Sequence, residues 1–188
     1  MRRSLFVALF ALALVPLAAR AADAEHPYKN AKVGDFAVYT VTTKLGGITV
    51  PGTVTQTVTG RTEKELTIKA VTVVEGFGKK ADPKEKEQKI DLTQPFDPSK
   101  AANVPAGVKV TKGTSGTEKL KIAGKEYDCD WTAYNATGQA NGKDVALEIK
   151  LWTAKGLAIG VAKTEVKTEV NGQKIELTME MKEFGNKK

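Results

Sequence analysis

Cysteine and histidine occur once each in this chain, at Cys129 and His26. A single cysteine excludes an internal disulfide, so the fold must be held by its core alone. A Ser-His or Cys-His site needs a base fixed by its surroundings. His26 lies close to the start of the exported chain defined below, where a loose segment is expected. Serine in that chain is confined to Ser99 and Ser115, both in loop-like contexts. A zinc site needs three or four His, Cys or acidic ligands, and one His and one Cys far apart in sequence do not supply them. No glycine-rich strand–loop–helix cradle for a nucleotide phosphate is present. The expectation is a protein that is not an enzyme, with no catalytic residues, no metal site and no cofactor.

Arginine is almost as scarce. Arg2, Arg3, Arg20 and Arg61 are the only four, and three of them fall within residues 1–21, which hold no acid. Removing that segment lowers the net charge from +7 to +4. The remaining cations are lysines apart from Arg61, often interleaved with Glu as in Lys84-Glu85-Lys86-Glu87. Arginine forks are the usual grip on phosphates and base edges. Without them the charge pattern indicates a solvated surface and no nucleic-acid partner.

Long apolar runs are limited to one, from Leu5 to Leu17. It falls short of the roughly 20 residues that cross a bilayer. Arg2 and Arg3 precede it and Ala19-Arg20-Ala21 follows with small residues at the cleavage positions. This is the pattern of a secretory signal peptide. Residues 1–21 are expected to be cleaved, leaving 22–188 as a single β-rich domain. No cysteine follows the run to take a lipid. A periplasmic or secreted product that does not span the membrane is expected. Aromatic residues amount to two Trp, four Tyr and six Phe, with Phe6 and Phe10 in the leader. So few argue against an outer-membrane barrel and its aromatic girdles.

What is abundant is alternation. Asp35–Lys44, Ile48–Thr59, Leu66–Val73, Leu120–Trp131, Val145–Leu151, Leu157–Val170 and Ile175–Met181 each repeat with period two. That period marks half-buried strands. Apolar phase slips between Ala70 and Val71, which predicts a bulge there. Gly46-Gly47 and Asn171-Gly172 mark tight hairpins. The fold class is all-β. About 8–10 strands form one antiparallel meander, in a strongly curved sheet or half-open barrel. At most a short helical turn accompanies them, at Asp97–Ala102.

Residues 78–113 break the pattern. They hold Pro83, Pro95, Pro98, Pro105 and a Lys/Glu run, and read as one long irregular loop. It is either a solvated crossover between two halves of the sheet or a flap over a cavity, with Phe96 as its apolar contact. Asp128 and Asp130 share a strand face with Thr132 and Tyr134, which suits water better than a calcium site or an acid–base pair. Cys129, on the other face between Tyr127 and Trp131, is expected in the core. Trp152 is out of phase with Ile149 and Leu151, and either packs in the core or closes a cavity rim. Phe96, Trp131 and Trp152 are the candidate ligand-binding residues.

The run Gly124-Lys125-Glu126-Tyr127-Asp128-Cys129-Asp130-Trp131, the stretch from Leu151-Trp152 to Gly160, and Leu177-Thr178-Met179 to Phe184 resemble a group of uncharacterised bacterial envelope proteins. These are similar in turn to the periplasmic lipoprotein-carrier (LolA- and LppX-like) superfamily. The resemblance implies a curved antiparallel sheet that cups acyl chains under a lid. The carriers' long lid helices have no counterpart in this sequence. The functional expectation is an envelope protein that binds an apolar ligand or a partner chain on the concave face of its sheet. The alternative is a structural or protein–protein interaction module with no small-molecule ligand.

Overall fold

The computed structural model describes residues 26–76, 79–98, 102, 104–105, 107–140, 143–170 and 172–187. The expected signal peptide lies outside the described residues. Ten strands form one antiparallel sheet: β1 (Asp35–Leu45), β2 (Ile48–Arg61), β3 (Glu65–Gly76), β4 (Lys79–Lys80), β5 (Lys84–Asp91), β6 (Val108–Ile122), β7 (Lys125–Ala140), β8 (Lys143–Ala154), β9 (Val161–Val170) and β10 (Gln173–Asn186). The spatial order is β4-β3-β2-β1-β10-β9-β8-β7-β6, with β5 pairing β3 on the same edge as β4. Two meanders, β1 to β5 and β6 to β10, are therefore fused along β1 and β10, the first and last strands. The half-open, curled sheet expected from the alternation is what forms.

Turn chemistry sets the hairpins. Gly46 and Gly47 have φ of +53° and +88° and join Leu45 directly to its partner Ile48. Two successive positive φ values give the turn whose twist matches that of the flanking strands. Four irregularities then bend the sheet. Lys182 is the extra residue between Met181 and Glu183, opposite Tyr39 and Val38, and Thr59 is extra between the Val58–Ile68 and Gly60–Thr67 pairs. Gly113 and Thr114 bulge from β6, and Ala162 from β9. Each bulge increases local twist, and β6 comes back within 8 Å (Cα–Cα) of residues in β10.

The bulge in β3 expected near Ala70 does not occur; the register runs unbroken from Val58–Ile68 to Gly52–Val74. Val71 and Val73 simply place β-branched side chains on the outer face, where they are half-buried. The segment 78–113 is also more ordered than a loop. It carries β4, β5 and the start of β6, and the described residues between β5 and β6 belong to no strand. The Lys/Glu run hid β5 because an edge strand facing water needs few apolar side chains. Within the stretch Asp97–Ala102 expected to turn, the Ala102 N–H donates to the Pro98 carbonyl at 3.0 Å, and residues 99–101 lie outside the described residues.

The core gathers at one end of the sheet. Tyr39, Val58, Leu66, Ile68 and Met181 are buried there with Leu151, Trp152, Leu157, Ile159 and Val161. Each such side chain contributes roughly 1.5–3 kcal/mol on burial. The stretch 26–34 closes this end. Arg61, the one arginine beyond residue 21, donates to the carbonyls of Ala31 at 2.5 Å and Lys29 at 2.8 Å. The Gly160 N–H donates to the Pro27 carbonyl at 2.8 Å. Asp35 accepts from the Lys32 N–H at 2.7 Å and from Asn186 Nδ2 at 2.6 Å, tying β1 to the end of β10.

Candidate functional site: a roofed cavity on the sheet

Residues directly opposite one another in antiparallel strands project from the same face. On β1, β2, β3 and β5 this aligns rows of side chains. One row is Tyr39–Val54–Thr72–Lys84, the next Ala37–Gln56–Ala70–Lys86, and the next Val58–Ile68–Gln88. Ala37 and Ala70 flank Gln56 on both sides, so the middle row is low where its neighbours are tall. The dip is roofed by Gln94, Pro95, Phe96 and Asp97 and closed at one side by His26 and Tyr28. The space, partly open to solvent, is about 190 Å³, with Val54, Ile68, Ile90, Val161 and Met179 as its apolar wall. Two other depressions, over the β6 bulge at Gly113-Thr114 and beside Leu147 and Ile175, are more open to solvent.

Aromatic rings hold the roof down. His26 packs edge-on against Phe96 with ring centres 5.7 Å apart, and Tyr28 lies 6.2 Å from the same ring. His26 accepts the Tyr28 N–H through Nδ1 at 3.3 Å, which leaves Nε2 to carry the ring proton. Burial lowers the His26 pKa, with Asp91 pulling weakly the other way. Burial pushes the Tyr28 phenol up to about 12 and Tyr39 well above its ordinary value. The segment around His26, expected to be loose, is thus fixed by ring packing and by Arg61.

Polar groups in this region are not all matched. Among the described residues, Gln56 Oε1 and Thr164 Oγ1 are buried without a hydrogen-bond partner. Gln56 is on the cavity floor. Thr164 lies directly opposite Met179, which lines the wall. Orphaned buried polar atoms are uncommon in native folds, and each calls for a physical account.

The three residues singled out from the sequence separate in space. Phe96 lines the cavity. Trp131 and Trp152 face each other across β7 and β8, in the row Thr40–Glu180–Lys163–Trp152–Trp131–Gly116 that projects from the face opposite the cavity floor. Trp152 is 2% exposed and donates from Nε1 to Glu118 Oε2 at 2.9 Å. Lys150 Nζ stands 4.1 Å from the Trp131 ring centre and 4.5 Å from that of Trp152. This is a packed cation–π stack. Cys129 is buried beside it, and burial raises its thiol pKa. Asp128, on the other face, is 88% exposed.

Gln56, Ala70 and Gln88 line the cavity and did not stand out in the sequence, where His26 reads only as a base in a loose segment. Only the register between β2, β3 and β5 brings them together, and no local pattern records that register. Ile90 was the available signal, an apolar residue ending an otherwise charged run.

No family model matches this chain, and no curated protein matches it. Its fold does match solved structures. One, from Bacteroides fragilis, is described as an exported protein with a YmcC-like fold. It shares 9% identity at a TM-score of 0.50, over 83% of this chain and 97% of that one. Another, from Parabacteroides distasonis, is described as a lipoprotein. It shares 10% identity at a TM-score of 0.53, over 86% of this chain and 99% of that one. At such identities the likeness is one of fold.

Proposed function

We propose that this chain is an exported, non-enzymatic protein of the cell envelope that holds a small apolar ligand, or the apolar part of a larger one, between its sheet and residues 92–98. The observation that carries this reading is the roofed cavity of about 190 Å³ with Val54, Ile68, Ile90, Phe96 and Met179 in its wall. An engineered apolar cavity of roughly 150 Å³ is enough to take benzene. The volume therefore suits one ring or a short length of acyl chain. The leader argues for export, and the descriptions of the two fold neighbours as exported protein and lipoprotein agree with it. The resemblance to lipoprotein carriers favours an acyl chain among apolar ligands. Incubating the purified 22–188 domain with an envelope lipid extract and weighing it by native mass spectrometry tests the reading. A bound species lost in Ala70→Leu, which fills the dip, is expected; a wild-type protein that binds nothing contradicts it.

A second reading, a protein-interaction module, is favoured by a different feature. Leu45 and Ile48, cross-strand partners at the β1–β2 tip, are 41% and 53% exposed, and Val74 is 42% exposed. A stoichiometric partner recovered by wild type and lost in Leu45→Lys/Ile48→Lys would support it.

A further inference from the structure

Of the residues lining the cavity that bear a polar group, Tyr28 alone is buried, at 6% exposure. Thr72, Gln88 and His26 are half-buried, and Lys86, Asp91 and Asp97 are exposed. The Tyr28 ring packs against those of His26 and Phe96, with centres 5.8 and 6.2 Å away. Its hydroxyl forms no hydrogen bond with any described residue, yet it is not one of the polar atoms sealed from solvent. The space it opens onto is the cavity that Tyr28 lines. Tyr39, raised by burial and then by the charge of Tyr28, gives its own proton to the Val161 carbonyl at 3.0 Å. Val161 lines the same space. Burial pushes the Tyr28 phenol up to about 12, so it keeps its proton at any physiological pH and stays a donor.

We propose that Tyr28 is the polar anchor of the ligand site: the bound molecule is a small apolar body bearing a hydroxyl, ether or carbonyl oxygen that accepts the Tyr28 hydroxyl proton. This rests on the cavity reading above and narrows it to oxygen-bearing apolar molecules. Displacing water from a hydroxyl of this kind costs affinity unless the displacing group reproduces the bond. A hydrocarbon of the same shape brings no acceptor and leaves the donor unpaired in a buried setting. The packing of Tyr28 on His26 and Phe96 holds the phenol in place before the ligand arrives, which lowers the cost of forming the bond.

The test uses two pairs of probes matched in shape, each titrated into the purified 22–188 domain by calorimetry. One pair is 4-ethylphenol with 4-ethyltoluene, the other 4-ethylanisole with 1,4-diethylbenzene. The affinity ratio of oxygen probe to hydrocarbon is expected to fall about three- to tenfold from wild type to Tyr28→Phe, while the hydrocarbons still bind. Circular dichroism confirms the fold of the variant. Should it melt early, 13C labels at the tyrosine Cζ carbons decide in the wild type. The Tyr28 signal is expected to move further with 4-ethylanisole than with 1,4-diethylbenzene, and equal shifts contradict the proposal. Ratios unchanged in Tyr28→Phe, with all four probes lost in Ala70→Leu, overturn this inference and leave the cavity reading standing. A ratio that falls for 4-ethylphenol but not for 4-ethylanisole also overturns it, because the ligand is then the donor. If none of the probes binds the folded wild type, both readings fall.

Discussion

The Tyr39 hydroxyl donates to the Val161 carbonyl at 3.0 Å, linking β1 to β9 across the intervening strand β10. Val161 begins β9, beyond the last β9–β10 pair at Lys163–Glu180, so its carbonyl has no place in that ladder. The ring of Tyr39 is fully buried in the core as well. One side chain thus fills the core and satisfies the backbone at the bulge that bends β9. Tyr39→Phe keeps the ring but strands a buried carbonyl. It is expected to lower stability by about 1–3 kcal/mol, measured by denaturant unfolding with an unchanged slope.

Alkaline pH should act through Tyr28 and Tyr39. Burial raises both phenols above their ordinary value, Tyr28 to about 12. In the unfolded chain they lose protons near pH 10. Above that, the unfolded state binds fewer protons than the folded one, so stability falls as pH rises toward 12. Unfolding followed by circular dichroism should coincide with tyrosinate absorbance for these two residues, and Tyr28→Phe should move the transition upward.

His26 predicts the opposite dependence at mild acidity. Its pKa is lowered by burial, with Asp91 opposing. Between the lowered value and the ordinary 6.5 the unfolded state binds more protons, so the contribution of His26 is present above 6.5 and fades as pH falls. Since its ring packs on Phe96, protonation should loosen the roof before the sheet. Amide protection factors at Gln94, Phe96 and Asp97 should fall below pH 6.5 in wild type, and His26→Gln should flatten that response.

Gly160 tests the closure of the core end. A Cβ there would collide with the backbone of Pro27, whose carbonyl accepts the Gly160 N–H at 2.8 Å. Gly160→Ala is expected to cost about 1–3 kcal/mol as an overpacking change. Its thermal midpoint should drop and exchange at Tyr28 and Ala31 should rise, while hairpin β1–β2 stays protected.

The Trp152–Glu118 bond is a structural device in this account. Glu118→Ala should lower stability by about 1 kcal/mol, the modest end for a charged partner because the carboxylate is partly exposed. Probe binding in the cavity should be unaffected. A loss of binding in this variant would bring the tryptophan face into the site.

Period two made the strands legible because sheet faces are written residue by residue along the chain. Phase gave Cys129 its place in the core and set Trp152 apart from Ile149 and Leu151. Val71 and Val73 misled for the same reason, since an apolar residue on an outer face looks like a phase slip. β5 was hidden by its lysines and glutamates. The cavity was largely illegible. Gln56, Ala70 and Lys86 are adjacent only through pairing between three strands, and visible hints were limited to the roof residue Phe96 and to Ile90 in its charged run. His26 shows the limit most plainly: its fixed position comes from Phe96, distant in sequence.

The central claim is that the space under residues 94–97 is a binding site. Methyl spectra of the domain, recorded during titration with 4-ethylphenol, address it directly. The account predicts saturable shifts at Val54, Ile68, Ile90 and Met179, with Leu147 and Ile175 unmoved. Shifts confined to Leu147 and Ile175, or no saturable shift anywhere, would contradict it.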